Sequence, residues 1–215
     1  MSKILAVGIE VVLQEYVPGP ATRHHFIDGY VDSKGTLRTQ FARRRLRMYP
    51  LDFGDSSALL SIPLAALGTL PERFPELLKA IYYRGIFSAE FKYDERDKEY
   101  KLLEINARPW WYIAYAADCG VDVATMAYRD ALGEQVADVR DYRVGVGLVS
   151  LTNDKKACWA LFKKGKLPIS SWLWSWLTYR KAVFNWDDPS PTWALTVQRL
   201  KMHFGRLTGN PPTRP

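Results

Sequence analysis

Two short segments on either side of a polar turn constrain the fold of this chain more than any other feature. Residues 86–93, IFSAEFKY, and residues 99–106, EYKLLEIN, are rich in aromatic and aliphatic side chains, and the five polar residues DERDK separate them. Apolar segments of this length bounded by turn residues are typical of β-strands, and so short a connection is typical of a hairpin. The sequence therefore predicts an antiparallel β-hairpin.

Polar and apolar residues alternate along both predicted strands. Successive side chains of a strand point to opposite faces, so Glu104 and Asn106 share one face of the second strand. A symmetric turn pairs Tyr93 with Glu99 and Glu90 with Leu102, which makes Glu104 a diagonal neighbour of Glu90 on the same face. A slip of two residues would place the two acids directly opposite each other, and a slip of one would place them on different faces.

The acids of this hairpin predict a magnesium site. Glu90, Glu104 and Asn106 are hard oxygen donors of the kind that Mg²⁺ prefers, with the remaining positions left to water and to substrate phosphates. Arg108, two positions further on, is an always-charged planar donor for phosphate or carboxylate. The alternative is a solvated polar face on which the acids pair with Lys92. The residues alone leave both interpretations open.

The rest of the chain predicts an α+β fold, an antiparallel sheet with flanking helices. Turn signals and apolar periodicity divide it into further elements. These are strands at 11–17, 23–31 and 37–47, a loop at 49–57, an amphipathic helix at 70–85, helical stretches at 114–120 and 121–133, a short strand at 144–151 and tryptophan-rich helical segments beyond it.

Composition narrows the function classes. Among the 215 residues, 47% are hydrophobic and 25% are charged, as in ordinary globular proteins. With neither an apolar run of the roughly 20 residues that span a bilayer nor a signal sequence, we expect a cytoplasmic protein without a transmembrane segment. The net charge of +7 predicts an anionic partner. No nucleic-acid signature accompanies it, so a nucleic-acid partner is not expected. The two cysteines, Cys119 and Cys158, are expected to be reduced.

Several motifs in order resemble the ATP-grasp superfamily. FSAEFKYD followed by YKLLEINARP resembles the metal-binding hairpin of that superfamily, and VVLQEYVPG is similar to its linker strand. The stretch FARRRLRMYP, the loop FGDSS and the later DDPSP look most like its carboxylate-amine ligase branch. The resemblance covers about residues 9–133.

The resemblance implies ATP and Mg²⁺ as cofactors, and it implies roles for particular residues. Glu15 would contact the ribose hydroxyls, while Tyr16 and Val17 would offer backbone groups to the adenine edge. Glu90, Glu104 and Asn106 would hold magnesium ions that bridge the phosphates. The implied reaction transfers a phosphoryl group from ATP to a small carboxylate, and an amine or a thiol then attacks the acyl phosphate. The proposed catalytic residues are Arg108, Arg45 and Arg47. Since side chains alternate along a strand, Arg43, Arg45 and Arg47 are predicted to share one face.

The resemblance also suggests a domain organisation. Residues 1–141 correspond to the C-terminal subdomain of an ATP-grasp unit, and residues 142–215 form a helical, tryptophan-rich extension. Since no glycine-rich phosphate loop is present, we expect a partial or split enzyme, completed by a separate chain or acting as a homo-oligomer. The alternative is a non-catalytic ATP-grasp remnant that acts as a protein-interaction module. Residues 167–184, LPISSWLWSWLTYRKAVF, predict either a helix packed on the sheet or one lying on a membrane surface or a partner.

Overall fold

The computed structural model describes residues 13–184 and 188–207. Seven strands and six α-helices are found in these residues. In chain order they are β1 His24–Val31, β2 Leu37–Tyr49, β3 Asp55–Ser61, α1 Leu70–Ala80, β4 Gly85–Asp94, β5 Glu99–Asn106, α2 Ile113–Asp118, α3 Val123–Ala131, β6 Gly147–Val149, α4 Leu151–Lys163, α5 Ile169–Thr178, β7 Arg180–Lys181 and α6 Ser190–Leu207.

All seven strands form one sheet, in the order β5-β4-β1-β2-β3-β6-β7. Every ladder is antiparallel except the short one between β6 and β7 at the far edge. The predicted class, an α+β fold with an antiparallel sheet and flanking helices, is confirmed. The predicted hairpin lies at the opposite edge, where β5 is the outermost strand.

Helix α1 covers one face of the sheet. Alternate residues of β4, including Phe87 and Phe91, point to this face and are almost fully buried. Phe74 of α1 packs edge-on against both rings, with centroid separations of 5.6 and 5.3 Å. Phe74 and Leu78 are one helical turn apart, so the apolar spacing in the sequence accounts for the face that α1 buries.

Helices α2 and α3 cover part of the opposite face. Phe26 of β1 and Phe41 of β2 belong to this core, which Tyr115 of α2 and Met126 of α3 complete. Phe26 lies opposite Glu90 of β4 on one side and opposite Arg43 of β2 on the other. Because directly paired residues share a face, Glu90 and Arg43 lie on the same side of the sheet as this core, and so does Arg45, two residues further along β2.

Two predicted elements differ from the observed ones. Residues 13–17, the described part of the predicted first strand, belong to no β-ladder, and residues 11 and 12 lie outside the described residues. Conversely, β3 begins at Asp55, inside the predicted loop, because it pairs with the long strand β2 over its whole length. The consecutive strands β1, β2 and β3 therefore form an antiparallel meander that does not include residues 13–17.

The segment after residue 141 contributes to the same sheet. Its strand β6 pairs with β3, with Leu148 opposite Leu59, and α4 then packs on β2 and β3. The division of the chain at residue 141 remains a prediction.

Both cysteines are free and buried, Cys119 after α2 and Cys158 in α4. Within residues 13–184 and 188–207, no helix has both the length and the apolar character needed to cross a membrane.

Candidate functional site

The register of the hairpin places its two acids directly opposite each other. The two strands pair residue by residue from the turn to the pair Phe91 and Leu102, and the next pair is Glu90 and Glu104. Leu103 is the extra residue of a β-bulge. The predicted pairing of Glu90 with Leu102 is therefore wrong, since the turn and the bulge each shift the register by one residue.

The bulge decides which face Glu104 occupies. Without it, the pairs near the turn would extend to Glu90 opposite Leu103, and Glu104 would lie opposite Ala89 on the apolar face. One inserted residue moves Glu104 and Asn106 to the face of Glu90. The bulge has its own support, since the side-chain amide of Gln14 donates a hydrogen bond to the carbonyl oxygen of Leu103 at 2.8 Å.

Glu90 is held by two basic side chains. Its Oε1 accepts from Nδ1 of His24 at 2.5 Å and from Nη1 of Arg45 at 3.0 Å. Burial raises the pKa of Glu90, but the His24 hydrogen bond and the charge of Arg45 outweigh burial, so the net pKa lies below its ordinary value. Glu90 is therefore a carboxylate at neutral pH.

His24 is the donor in this contact. Burial lowers its pKa, and the nearby charges of Arg45 and Lys92 act in the same direction against the raising effect of Glu90. At neutral pH the ring is neutral and carries its proton on Nδ1, the nitrogen that faces the carboxylate.

Glu104 and Asn106 form a second pair of oxygen donors. Nδ2 of Asn106 donates to Oε1 of Glu104 at 2.7 Å, which turns the amide oxygen away from that carboxylate. Asn106 lies opposite Ser88, two pairs further along the ladder than Glu90 and Glu104 and therefore on the same face. Three oxygen-bearing side chains thus line one face of two neighbouring strands.

Two buried arginines of β2 adjoin the acids. Arg43 makes a doubly hydrogen-bonded ion pair with Asp28, at 2.6 and 3.2 Å, and its guanidinium lies 3.9 Å from the ring centroid of Phe26. Arg45 donates from Nε to Ser56 at 2.8 Å as well as pairing with Glu90. These fixed contacts hold two planar cations beside the acids at low entropic cost.

Arg47 is not brought together with the other arginines. The β2–β3 register shifts on either side of it, and its guanidinium makes two hydrogen bonds to Asp154 of α4, at 2.8 and 2.9 Å. Both side chains are buried. The catalytic role predicted for Arg47 remains a prediction, and the structure places this residue in the contact between β2 and α4.

A cavity of about 920 Å³ collects most of the predicted residues. Its volume is in the range of small-molecule sites. Helix α6 and the first turn of α4 also contribute to its wall. The predicted site residues and neighbouring arginine in its wall are Glu90, Glu104, Asn106, Arg108, Arg45 and Arg43.

The predicted nucleotide residues lie beside this cavity and do not line it. Glu15 is exposed and pairs with Nη2 of Arg96 at 2.9 Å, and Val17 is buried. The ring of Tyr16 lies 5.8 Å from that of Phe53 and 5.2 Å from Nζ of Lys92.

Lys92 lies between the predicted nucleotide residue Tyr16 and the acid Glu90. It follows Glu90 by two positions on β4, so it points to the same face, and burial lowers its pKa. The alternation of side chains along β4 predicts this orientation of Lys92 from the sequence. His24 gave no comparable signal, because the pairing of β1 with β4 brings it to the site. Phe53 comes from the loop before β3 and contacts Tyr16.

The donor set fits a magnesium ion that is shared with phosphates. In the part of the chain that the structure describes, no cluster of three or more His, Cys, Asp or Glu residues is arranged to hold a metal ion. Mg²⁺ needs no such cage, since it is commonly held by one or two carboxylates together with phosphate oxygens and water. Glu90, Glu104 and Asn106 match that requirement.

This sheet and its flanking helices have the ATP-grasp fold, over the part of that fold that the chain spans. The structure of biotin carboxylase from Campylobacter jejuni matches 62% of this chain and 30% of its own, with a TM-score of 0.51 and 19% identity. Pyruvate carboxylase from Rhizobium etli matches 68% of this chain and 14% of its own, with a TM-score of 0.50 and 16% identity. The resemblance seen in the motifs is confirmed at the level of the fold.

In sequence, the chain is similar to D-aspartate ligase from Enterococcus faecium (strain Aus0004). The two are 29% identical over 125 residues, which cover 56% of this chain and 28% of the ligase. The chain thus spans little more than a quarter of the length of that relative. No family model matches the chain.

Proposed function

We propose that this chain binds ATP with Mg²⁺ and takes part in joining a small carboxylate to an amine or a thiol through an acyl phosphate. The observation that carries the proposal is the direct pairing of Glu90 with Glu104, with Asn106 beside them, in the wall of a cavity that arginines also line. The ATP-grasp fold supports nucleotide binding. The similarity to a D-aspartate ligase supports formation of a carbon–nitrogen bond.

The three oxygen donors would hold the metal. Bound Mg²⁺ neutralises phosphate charge and favours in-line transfer of the γ-phosphoryl group. Arg45 and His24 keep Glu90 ionised, so Glu90 serves as a ligand and not as a proton donor. Glu104 is oriented by the amide of Asn106.

The chemistry requires positioning and charge neutralisation more than a protein nucleophile. An oxygen of the substrate carboxylate attacks the γ-phosphorus, and the bond to ADP breaks. The amine nitrogen then attacks the acyl carbon, the carbon–oxygen bond to phosphate breaks, and inorganic phosphate and the amine proton are released. Arg108, exposed at the cavity wall, meets the carboxylate first and the acyl phosphate afterwards.

The nucleotide end lies beside the acids in this proposal. Tyr16 and Val17 offer backbone groups to the adenine edge, and Glu15 exchanges its contact with Arg96 for the ribose hydroxyls. The position of Tyr16 over Lys92, two residues from Glu90 on the same face, supports a nucleotide that runs along β4 toward the acids.

Calorimetric titration with ATP tests the proposal, with Mg²⁺ present and with Mg²⁺ chelated. We expect binding that requires Mg²⁺ in the parent and is weakened by Glu104→Gln. Equal affinity in all these samples rejects the metal role. The second readout is phosphate release from ATP in the presence of D-aspartate and a panel of other carboxylates. It is measured after binding, because the chain aligns with only 28% of the D-aspartate ligase that suggests this substrate.

A further inference from the structure

The positive charge of this chain is concentrated in one segment. Residues 151–181, which contain α4 and α5, hold seven lysines and arginines and a single acid, Asp154. Asp154 is buried and its charge is met by Arg47. The surface of this segment is therefore almost purely cationic, and it accounts for most of the net charge of +7.

Helix α5 exposes a continuous apolar face. Ile169, Leu173 and Leu177 recur every four residues, so they lie in one row along the helix, and Trp174 adjoins them. All four are exposed, Leu177 to 80% and Trp174 to 67%. The opposite side of the helix carries the buried Ser175. Exposed apolar patches of this kind mark interaction sites.

Helix α4 exposes aromatic rings among its lysines. Trp159 and Phe162 lie on its outer side and stack with their centroids 5.9 Å apart. Nζ of Lys163 lies 5.2 Å from the centroid of the Trp159 ring, and further lysines, Lys155, Lys156, Lys164 and Lys166, are exposed on the helix and the loop that follows.

A buried contact fixes the orientation of both helices. Asp154 of α4 accepts a hydrogen bond from Nε1 of Trp176 in α5 at 2.8 Å, and the Arg47 that binds Asp154 also donates to Ser175 at 2.9 Å. The inner sides of α4 and α5 therefore meet at one point on the sheet, and their outer sides face away from it.

We propose that the outer faces of α4 and α5 dock on the surface of an anionic phospholipid bilayer. Apolar and aromatic side chains bordered by lysines are what an interfacial helix uses, the apolar groups entering the headgroup region and the ammonium groups meeting lipid phosphates. The helices lie on the bilayer. None of the described helices is able to span it.

The charge of the surface argues against other occupants. A second copy joined by a two-fold axis would bring the lysines of one protomer against those of the other. A nucleic acid would meet the lysines and could stack bases on the exposed aromatic rings, but it would leave the aliphatic row Ile169, Leu173 and Leu177 in water. An anionic bilayer satisfies both the charge and the apolar row.

Vesicle co-sedimentation tests the proposal with two lipid compositions, phosphatidylcholine alone and phosphatidylcholine mixed with phosphatidylglycerol. We expect binding only to the anionic vesicles, with a partition coefficient that falls as salt is added. Replacing Lys163, Lys164 and Lys166 together by glutamine should lower that coefficient about 100-fold. The matched control replaces Lys34, Lys79 and Lys98 by glutamine, and it should retain most of the binding.

The apolar row needs its own variant. Leu177→Ser should weaken binding to anionic vesicles, whereas Leu132→Ser, at an exposed leucine after α3, should not. Far-UV circular dichroism establishes that all variants are folded. Equal binding by Leu177→Ser and Leu132→Ser, equal binding to both lipid compositions, or self-association that saturates the surface without lipid would overturn the proposal.

Discussion

Arg47 and Asp154, 107 residues apart in sequence, form a doubly hydrogen-bonded ion pair with both side chains buried. The carboxylate of Asp154 also accepts hydrogen bonds from Ser57 of β3 and Trp176 of α5. A single carboxylate therefore joins two strands of the sheet to two helices of the C-terminal segment.

Asp154→Asn should lower the free energy of unfolding by about 3–5 kcal/mol, because it leaves the guanidinium of Arg47 buried without its counter-charge. Urea unfolding measures the loss. Asp118→Asn is the control, since Asp118 pairs with Nε of Arg180 at 2.8 Å in a half-exposed position, and its loss should cost less than about 1 kcal/mol. Similar effects of the two substitutions would show that the buried pair contributes nothing beyond a surface pair.

Replacing both partners should restore most of that stability. In the double variant Arg47→Met with Asp154→Leu, no charge is left buried, and apolar replacements of buried ion pairs are commonly neutral or stabilising. If the double variant is less stable than Asp154→Asn, the hydrogen bonds from Ser57 and Trp176 matter more than the charge pair.

The register of the hairpin can be tested with engineered disulfides. Glu90→Cys with Glu104→Cys places two thiols on directly opposed residues, at a separation that a disulfide spans, so the pair should oxidise readily. Glu90→Cys with Leu103→Cys represents the register without the bulge and should oxidise slowly. Mass spectrometry of the oxidised proteins distinguishes them, and preferential closure of the second pair would contradict the bulge at Leu103.

Glu104→Gln should weaken Mg²⁺-dependent ATP binding about 10-fold or more while the protein stays folded, because the side chain is exposed and loses a charge that the metal needs. Glu99→Gln is the matched control on the same strand, next to the turn and away from the cavity wall. Calorimetry with and without Mg²⁺ measures both. A parallel loss in the control would point to a general effect of charge on the hairpin.

Acidification should destabilise the protein partly through His24. Its pKa is lowered from 6.5 by burial, so at a pH just below that value the unfolded chain binds a proton that the folded chain does not, and stability falls. The lowered pKa of Glu90 adds a loss of the same sign below 4.5, where protonation removes the charge that faces Arg45.

His24→Gln keeps a donor for Glu90 but cannot titrate, so its loss of stability between pH ~7 and ~5 should be smaller than that of the parent. His25, whose pKa burial also lowers, contributes equally to both proteins. Urea unfolding at both pH values measures the difference, and identical slopes would exclude His24 as a contributor.

Both thiols should be inert in the folded protein. Burial raises the pKa of Cys158 to about 12 and also raises that of Cys119, and the thiolate is the reactive form. A chromogenic disulfide reagent at pH ~8 should therefore label neither residue until denaturant is added. Rapid labelling of one thiol under native conditions would locate a part of the fold that opens easily.

The sequence predicts those elements whose signals are local. Turn residues on both sides of β4 and β5 define these strands to within a residue, and alternation assigns Glu90 and Lys92 to one face. The bulge is invisible in the sequence, because Leu102 and Leu103 are interchangeable as apolar residues until a pairing partner distinguishes them.

Other parts of the structure depend on contacts between distant residues. Strand β3 contains loop-forming residues such as Asp55 and Ser56, and it becomes a strand because β2 offers an edge to pair with. The run 13–17 has strand-forming residues but no ladder. Arg47 has the spacing of a cavity residue, and its partner lies in a helix that no local pattern links to β2.

The bulge at Leu103 also has a consequence for how such hairpins diverge. An insertion or deletion of one residue in this outer strand reverses the facing of everything beyond it, without altering any acidic residue. A related chain that keeps the Glu-x-Asn motif but lacks the inserted residue would have the same acidic and amide residues, with their side chains turned toward α1. Strand length at this edge, as much as residue identity, then determines whether an ion can be held.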